Sequence, residues 1–310
     1  MSFSSNVKNE IITKKYTREH AALSELAAIV CFGGKLKKSD GEYSFSLVTE
    51  NPKIARRIYS LLKGALTVNS TIKIRKNGEK SSFYEVVVSN HEDILHIFRS
   101  VYLIDAHSTL DSFVQFHIDG KLVSTKEREK AFVCGAFVMG GSVMDPHKTY
   151  HLEFTTSRFG IADDFMKLLD GMGIPCKLVM RKSKYVMYYK NSDDITDVLT
   201  VLGAVNALME YHNAKIVKEM RNNINRTVNC ETANLNKTVD ASVEQVKCIQ
   251  KLIDNGKFEC LPDNLKDIAA LRLEYREHSL KELGEMLNPP IGKSGVNHRL
   301  RKIMDIANGE

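Results

Sequence analysis

Two stretches of small and apolar residues stand out along the chain, Leu26-Ala-Ala-Ile-Val-Cys-Phe-Gly-Gly34 and Val133-Cys-Gly-Ala-Phe-Val-Met-Gly-Gly141. Each predicts a buried helix that closes on a glycine pair. The echo continues downstream. Ile58-Tyr-Ser-Leu-Leu-Lys-Gly64 matches Phe165-Met-Lys-Leu-Leu-Asp-Gly171, and Arg75-Lys76 matches Arg181-Lys182 at nearly the same offset. Tyr84-Glu-Val-Val-Val-Ser-Asn-His-Glu-Asp-Ile94 matches Tyr185-Val-Met-Tyr-Tyr-Lys-Asn-Ser-Asp-Asp-Ile195. Three collinear matches mark an internal duplication. Within each copy the pattern predicts a small-residue helix, a strand (Tyr43 to Thr49 or Tyr150 to Thr156) and a helix from Pro52 or Ile161. A hairpin follows, Ile72 to Arg75 with Phe83 to Ser89 in the first copy and Leu178 to Arg181 with Tyr185 to Lys190 in the second. Lys76-Asn77-Gly78 carries the first turn signal. The expected order is α-β-β-α-β-β-α twice, an α+β body whose halves face each other across a pseudo-twofold axis with the small-residue helices at its centre.

The repeat stops near Leu208. Met209 to Met220 is compatible with helix, but the Asn-rich run Asn222 to Asn236 predicts a connector with local turns, because asparagine competes with the helix through its own side chain. Arg221, Arg226 and Lys237 are candidate phosphate contacts there. From Val239, the apolar residues Val243, Val246, Ile249, Leu252 and Ile253 return at helical spacing up to Asn255-Gly256. A further helix after Pro262-Asp263 buries Leu265, Ile268, Ala269, Leu271 and Leu273. Ser279 with Glu282 three residues on is a capping-box signature. Asn288-Pro289-Pro290-Ile291-Gly292 forces a turn. The last helix, from Lys293-Ser294, sets Val296, Leu300 and Ile303 on one face and Lys293, Asn297, His298, Arg299, Arg301 and Lys302 on the others, the layout of a recognition helix. Asn297, His298 and Arg299 are candidates for base edges, and Lys293, Arg301 and Lys302 for phosphates. Ser279, Lys281 and Ser294 complete the DNA-contacting set. The resulting organisation is 1–107 and 108–208 for the two halves, 209–238 for a helical, Asn-rich connector and 239–310 for a helix-turn-helix.

Composition changes this picture little. The 310 residues, 43% hydrophobic and 26% charged, are ordinary for a folded chain of two or three units. A net charge of +6 and a pI near 8.8 lean toward an anionic partner. The polar N-terminus lacks the apolar core of a secretory signal and no apolar run reaches about 18 residues, so a cytoplasmic, nucleoid-associated location is expected. The six cysteines are scattered without zinc-site spacing, so no metal site and no cofactor is expected.

The doubled helix motif resembles that of the LAGLIDADG homing endonucleases, in which the penultimate acidic residue of each motif holds a divalent metal at the scissile phosphates. Here those positions are Gly33 and Gly140, which have no side chain to offer. Asp145 lies four residues beyond Gly141, but the matching offset from Gly34 reaches Lys38, so no symmetric carboxylate pair exists. Metal-dependent cleavage is therefore expected to be absent. The glycine pairs are expected to serve as left-handed helix caps. The basic hairpins carrying Arg75, Lys76, Arg181 and Lys182 are candidate phosphate contacts, with a merely solubilising role equally open.

The whole chain resembles the WhiA family: the degenerate doubled body, Asn-Arg-x-x-Asn-Cys-x-x-Ala-Asn at Asn225 to Asn234, and Ser-Gly-Val-Asn-His-Arg-Leu-Arg-Lys at Ser294 to Lys302. The resemblance implies a DNA-binding regulator of cell division, chromosome segregation or sporulation. Its helix-turn-helix is expected to resemble sigma region 4, and the expected partner is double-stranded promoter DNA. A body that binds protein, such as a sigma factor or RNA polymerase, is the alternative. Nothing local in the sequence encodes the oligomeric state.

Overall fold

The chain opens with a helix that the apolar pattern did not predict. It is α1 (Phe3–Ile11), whose N-cap Ser2 accepts the Ser5 amide at 3.2 Å and whose Val7 and Ile11 are buried. In the computed structural model, residues 2–14, 19–77, 81–111 and 116–309 are described. Gly78, the end of the first expected turn, lies outside the described residues.

The first half then runs α2 (Glu19–Gly33), β1 (Lys35–Ser39), β2 (Glu42–Thr49), α3 (Pro52–Leu66), β3 (Thr71–Asn77), β4 (Ser81–Val88) and α4 (His91–Ser100). The second repeats it as α5 (Lys126–Gly140), β5 (Gly141–Val143), β6 (Leu152–Thr156), α6 (Phe159–Gly171), β7 (Lys177–Arg181), β8 (Lys184–Tyr189) and α7 (Ser192–Leu202). Each half holds a four-stranded sheet, ordered β1-β2-β4-β3 and β5-β6-β8-β7, with every neighbouring pair antiparallel. The expected α-β-β-α-β-β-α order is present twice. The repeated Asn-x-x-Asp-Ile has a local cause. Asn90 caps α4 by accepting the Asp93 amide at 3.0 Å, and Asn191 caps α7 by accepting the Asp193 amide at 3.1 Å. Ile94 and Ile195 then fall on the buried faces.

Helices α2 and α5 cross at the centre and are buried on nearly all sides over Leu26–Cys31 and Ala131–Val138. Their approach is set by Gly135, where a Cβ would stand 2.3 Å from the Glu25 carbonyl oxygen and 2.9 Å from the Ala28 Cβ. Glu25 itself is buried, and its charge is matched by Arg57 of α3 in a two-pronged pair, Nη2 to Oε2 at 2.6 Å and Nε to Oε1 at 3.2 Å. Edge-on phenyl contacts fill the flank, Phe137 to Phe154 at 5.7 Å and Phe154 to Phe165 at 5.0 Å.

The glycine pairs at the helix ends correct an expectation. None of Gly33, Gly34, Gly140 and Gly141 has positive φ, and Gly141 is extended at φ −84, ψ 150. Crowding is the reason for glycine here. A Cβ at Gly140 would lie 2.5 Å from the Thr155 carbonyl oxygen and 2.8 Å from Phe32, and one at Gly33 would lie 2.1 Å from the Met139 methyl.

A second correction concerns the Asn-rich stretch. Instead of a connector with local turns, Val205–Asp254 form one continuous helix, α8. The segment contains no Gly or Pro, and asparagine costs only about 0.6 kcal/mol per helical position, which contacts at the ends offset. At its root, Glu10 accepts the Asn206 amide at 2.8 Å, and the buried Tyr211 donates its hydroxyl to the Met144 carbonyl at 3.1 Å. Residues 1–217 and 218–310 form two compact units. The second contains the rest of α8, α9 (Asp263–Glu274), α10 (Leu280–Glu285) and α11 (Lys293–Asn308), around Ile249, Leu252, Leu265, Ile268, Leu283, Val296, Leu300 and Ile303. Among the described residues, no helix is long and apolar enough to cross a membrane.

The helix crossing gives a paired prediction for chemical unfolding. Gly135→Ala forces backbone apart and is expected to lower stability by about 3 kcal/mol. Gly64→Ala, on the exposed face of α3 with nothing within 4 Å of the new Cβ, is expected to raise it by up to about 1 kcal/mol.

Candidate nucleic-acid interface

The second unit positions its surface through one buried cation. Arg272 continues the inward-facing row Leu265, Ile268 and Ala269 on α9 and is 2% exposed. Its Nη1 donates to the carbonyl oxygens of His278 at 2.8 Å, Arg276 at 3.3 Å and Tyr275 at 3.5 Å. Ser242 of α8 also donates to the Arg276 carbonyl, at 2.5 Å. The turn between α9 and α10 is thus gathered onto α8 through its carbonyl groups, and burial lowers the Arg272 pKa.

Ser279 follows directly and forms the expected capping box. Its hydroxyl accepts the Glu282 amide at 3.4 Å, and the Glu282 carboxylate accepts the Ser279 amide at 2.7 Å. These bonds hold the Glu282 carboxyl below its usual range. After α10 the proline turn returns to the helix, with the Ile291 amide on the Gly284 carbonyl at 3.0 Å. Gly284 permits this, since a Cβ there would sit 2.2 Å from the Ile291 carbonyl oxygen.

On α11 the buried residues are Val296, Leu300, Ile303 and Ala307. Lys293, Ser294, His298, Arg301 and Lys302 are exposed. Asn297 and Arg299 flank the buried row on opposite sides, because residues two apart differ by about 200° around a helix. The three consecutive candidates for base edges are therefore not brought together. Arg299 instead donates to the Asn264 carbonyl at 3.3 Å, fastening α11 to the start of α9.

Lys237, Ser242 and Gln245 of α8, Arg272, Ser279, Lys281, Lys293 and Asn297 line a groove of about 420 Å³. Among the described residues lining it, four are cationic and none is acidic. Five of the residues singled out in the sequence meet here, namely Lys237, Ser279, Lys281, Lys293 and Asn297. Arg272 and Gln245 were missed. An arginine on an otherwise apolar row of α9 was the available signal. Arg221 and Arg226 lie on the exposed middle of α8, outside the groove.

In the first unit, the ends of α2 and α5 floor a cleft at Gly33 and Gly140, walled by Lys35, Arg181, Lys182 and Lys184 together with Glu153. Arg158 closes the end of α2 by donating to the carbonyls of Cys31 at 2.5 Å and Gly34 at 2.6 Å. The symmetry expected of the basic hairpins is broken. Arg75 is paired with Glu85 at 2.7 Å and Lys76 is exposed, whereas Arg181 and Lys182 line the cleft. Asp145, weighed earlier as a carboxylate stand-in, lies with His147 and Glu210 so that their ligand atoms fall within 4.8 Å of one another. Asp145 already accepts the His147 amide at 2.9 Å, an ordinary Asx turn.

Family models match most of the chain: the WhiA N-terminal LAGLIDADG-like domain over residues 19–104, the WhiA LAGLIDADG-like domain over 129–221, and the WhiA C-terminal HTH domain over 224–307. The chain belongs to the WhiA family. It is 45% identical to a protein of Clostridium perfringens and 42% identical to one of Clostridium botulinum, both named "Probable cell division protein WhiA", with 99% of this chain and 98% of each relative covered. The full-length DUF199/WhiA crystal structure from Thermotoga maritima aligns with TM-score 0.60 at 23% identity, covering 99% of this chain and 98% of that one. The N-terminal LAGLIDADG domain of DUF199/WhiA aligns with TM-score 0.51 at 19% identity, covering 65% and 90%. The WhiA fold is thereby established for both units: two LAGLIDADG-like halves followed by a helical HTH domain.

Two stability outcomes follow for the HTH unit of this WhiA chain. Arg272→Met leaves several carbonyls without their donor and is expected to cost about 3 kcal/mol in denaturant unfolding. The Glu282 cap is complete above the carboxyl's unfolded pKa and is lost as pH falls through its depressed folded value. Amide exchange of α10 should accordingly accelerate only in acid, and Glu282→Gln should flatten that dependence.

Proposed function

We propose that this WhiA-family chain is a DNA-binding transcriptional regulator serving cell division, chromosome segregation or sporulation, and that its LAGLIDADG-like body does not hydrolyse phosphodiesters. The observation that carries the reading is the groove of the second unit, where Lys237, Lys281, Lys293 and Arg272 converge with no acidic lining residue among those described. Such a cluster suits a duplex backbone, whose closely spaced phosphates release condensed counterions on contact with lysine. In this reading Lys237, Lys281 and Lys293 meet phosphates, Ser279 adds a hydroxyl donor, and Asn297 reaches a base edge, where its amide matches adenine. Ser294, His298, Arg301 and Lys302, on the exposed face of α11, extend the contact along the major groove. Arg299 is reassigned to a positioning role. Promoter DNA is the proposed partner and the nucleoid the proposed location, with 239–310 and the adjoining Lys237 as the DNA-reading part.

The body lacks the side chains that hydrolysis of a phosphodiester would need. Gly33 and Gly140 supply no metal ligand, and at Gly140 a Cβ would press on the Thr155 backbone carbonyl, whereas at Gly33 it would meet only the flexible end of Met139. In-line displacement needs metal charge on the attacking and leaving oxygens.

Fluorescence anisotropy on duplex DNA across a salt series tests the binding reading. Affinity should fall steeply with salt, and Lys293→Ala or Lys281→Ala should each reduce the log–log slope by about 1. Arg299→Ala should leave the slope unchanged. Salt-independent binding, or slopes indifferent to both lysines, would refute the assignment. Supercoiled plasmid incubated with the protein and Mg²⁺ should remain intact, and nicking would overturn the non-enzymatic reading.

A further inference from the structure

In the second unit, every residue of α8 from Arg221 to Ala241 is exposed, and the segment holds six asparagines and three threonines. A helix of this composition has poor intrinsic stability and gains nothing from a buried face of its own. It nevertheless carries a row of large apolar side chains: Met220, Ile224, Val228, Leu235, Val239 and Val243, each 48% to 63% exposed. The spacing of this row is 4, 4, 7, 4, 4. It reads the same from either end, about a centre between Glu231 and Thr232.

A palindromic row is what a two-fold, self-complementary interface requires, because residue i must meet j while j meets i. We propose that this face of α8 pairs antiparallel with the same face of a second copy of the chain. Met220 then meets Val243 of the second copy, Ile224 meets Val239, and Val228 meets Leu235. At the axis, Glu231 stands opposite Thr232, whose hydroxyl can donate to it. The predominance of four-residue steps makes the row wind right-handedly, so the helices cross in that sense and do not form a left-handed coil.

Two observations support a second copy as the occupant. The first is a groove of about 540 Å³ beside the row, walled by Leu235, Val239, Val243 and Val246 and rimmed by Arg276 and Glu277. The pairing brings the second copy's Met220 against this apolar wall. The second is area. Six side chains exposing about 100 Å² each would bury on the order of 1,200 Å² across the pair, at the lower limit for specific association. The row is also large for an apolar patch left in water.

Sedimentation velocity of the full chain, without DNA, tests the pairing. The intact chain should show a monomer–dimer equilibrium in the micromolar range. Val228→Glu should weaken it at least tenfold by setting a carboxylate against Leu235. The double variant Val228→Glu with Leu235→Lys should restore the dimer, since each glutamate then faces a lysine of the other copy. Helical circular dichroism of all three shows that they are folded, and recovery by the double variant separates pairing from misfolding. A chain that stays monomeric at about 100 μM, a dimer indifferent to Val228→Glu, or a folded double variant that fails to recover would each overturn the proposal. In the first case a different partner covers the face. None of these outcomes depends on DNA binding, so this proposal and the DNA reading fail separately.

Discussion

The close crossing of α2 and α5 is the constraint on which the first unit depends. It is permitted by Gly135, where even one carbon would press on the Glu25 carbonyl and the Ala28 methyl. At this separation, side chains from both halves share one apolar cluster, and the buried Glu25 must be neutralised from α3 by Arg57. The two sheets form comparable frames around this crossing. The same crowding reaches the helix ends, where Gly33 and Gly140 abut Met139, Thr155 and Phe32. The packing that holds the halves together thus reaches the two positions where the resembled nucleases carry metal-binding carboxylates, and at Gly140 it presses on backbone.

The HTH unit is organised on a different principle. Its apolar core is small, and the geometry of its surface rests on a buried guanidinium that gathers the carbonyls of Tyr275, Arg276 and His278. Carbonyl oxygens replace a carboxylate as partners of this cation, so the positive charge is oriented without being cancelled by an anion. Lys237, Lys281 and Lys293 then add exposed charge at the rim. A rigid turn and an uncancelled charge come from one side chain, and this links packing to the proposed recognition of a polyanion.

Much of this was legible in the sequence. The helices ending at Gly33 and Gly140, both hairpins, the capping box at Ser279 and the start of α11 follow from period, breakers and caps, which act over a few residues. The Asn-x-x-Asp-Ile echo was visible as repetition, and its cause, a pair of N-caps, became clear from the hydrogen bonds of Asn90 and Asn191. What was misread depended on neighbours distant in sequence. The glycine pairs suggested cap geometry, whereas they stand against Phe45, Phe137 and Thr155 of their own halves and Phe32 and Met139 of the opposite ones. The Asn-rich stretch suggested turns because side-chain competition was weighed over the lack of any Gly or Pro between Val205 and Asp254. The contact of Arg299 with the Asn264 carbonyl could not be read from the sequence, and Arg272 was signalled by its place on the row of Leu265, Ile268 and Ala269, but its carbonyl partners were not.

The most direct test of the account is hydrogen exchange of the intact chain with and without a specific duplex. The account predicts that protection on DNA binding concentrates in α8 around Lys237 to Gln245, in α10 and in α11, while the strands bearing Arg181 and Lys184 and the ends of α2 and α5 are unchanged. Protection confined to those strands and helix ends, with the HTH unit unaffected, would contradict it.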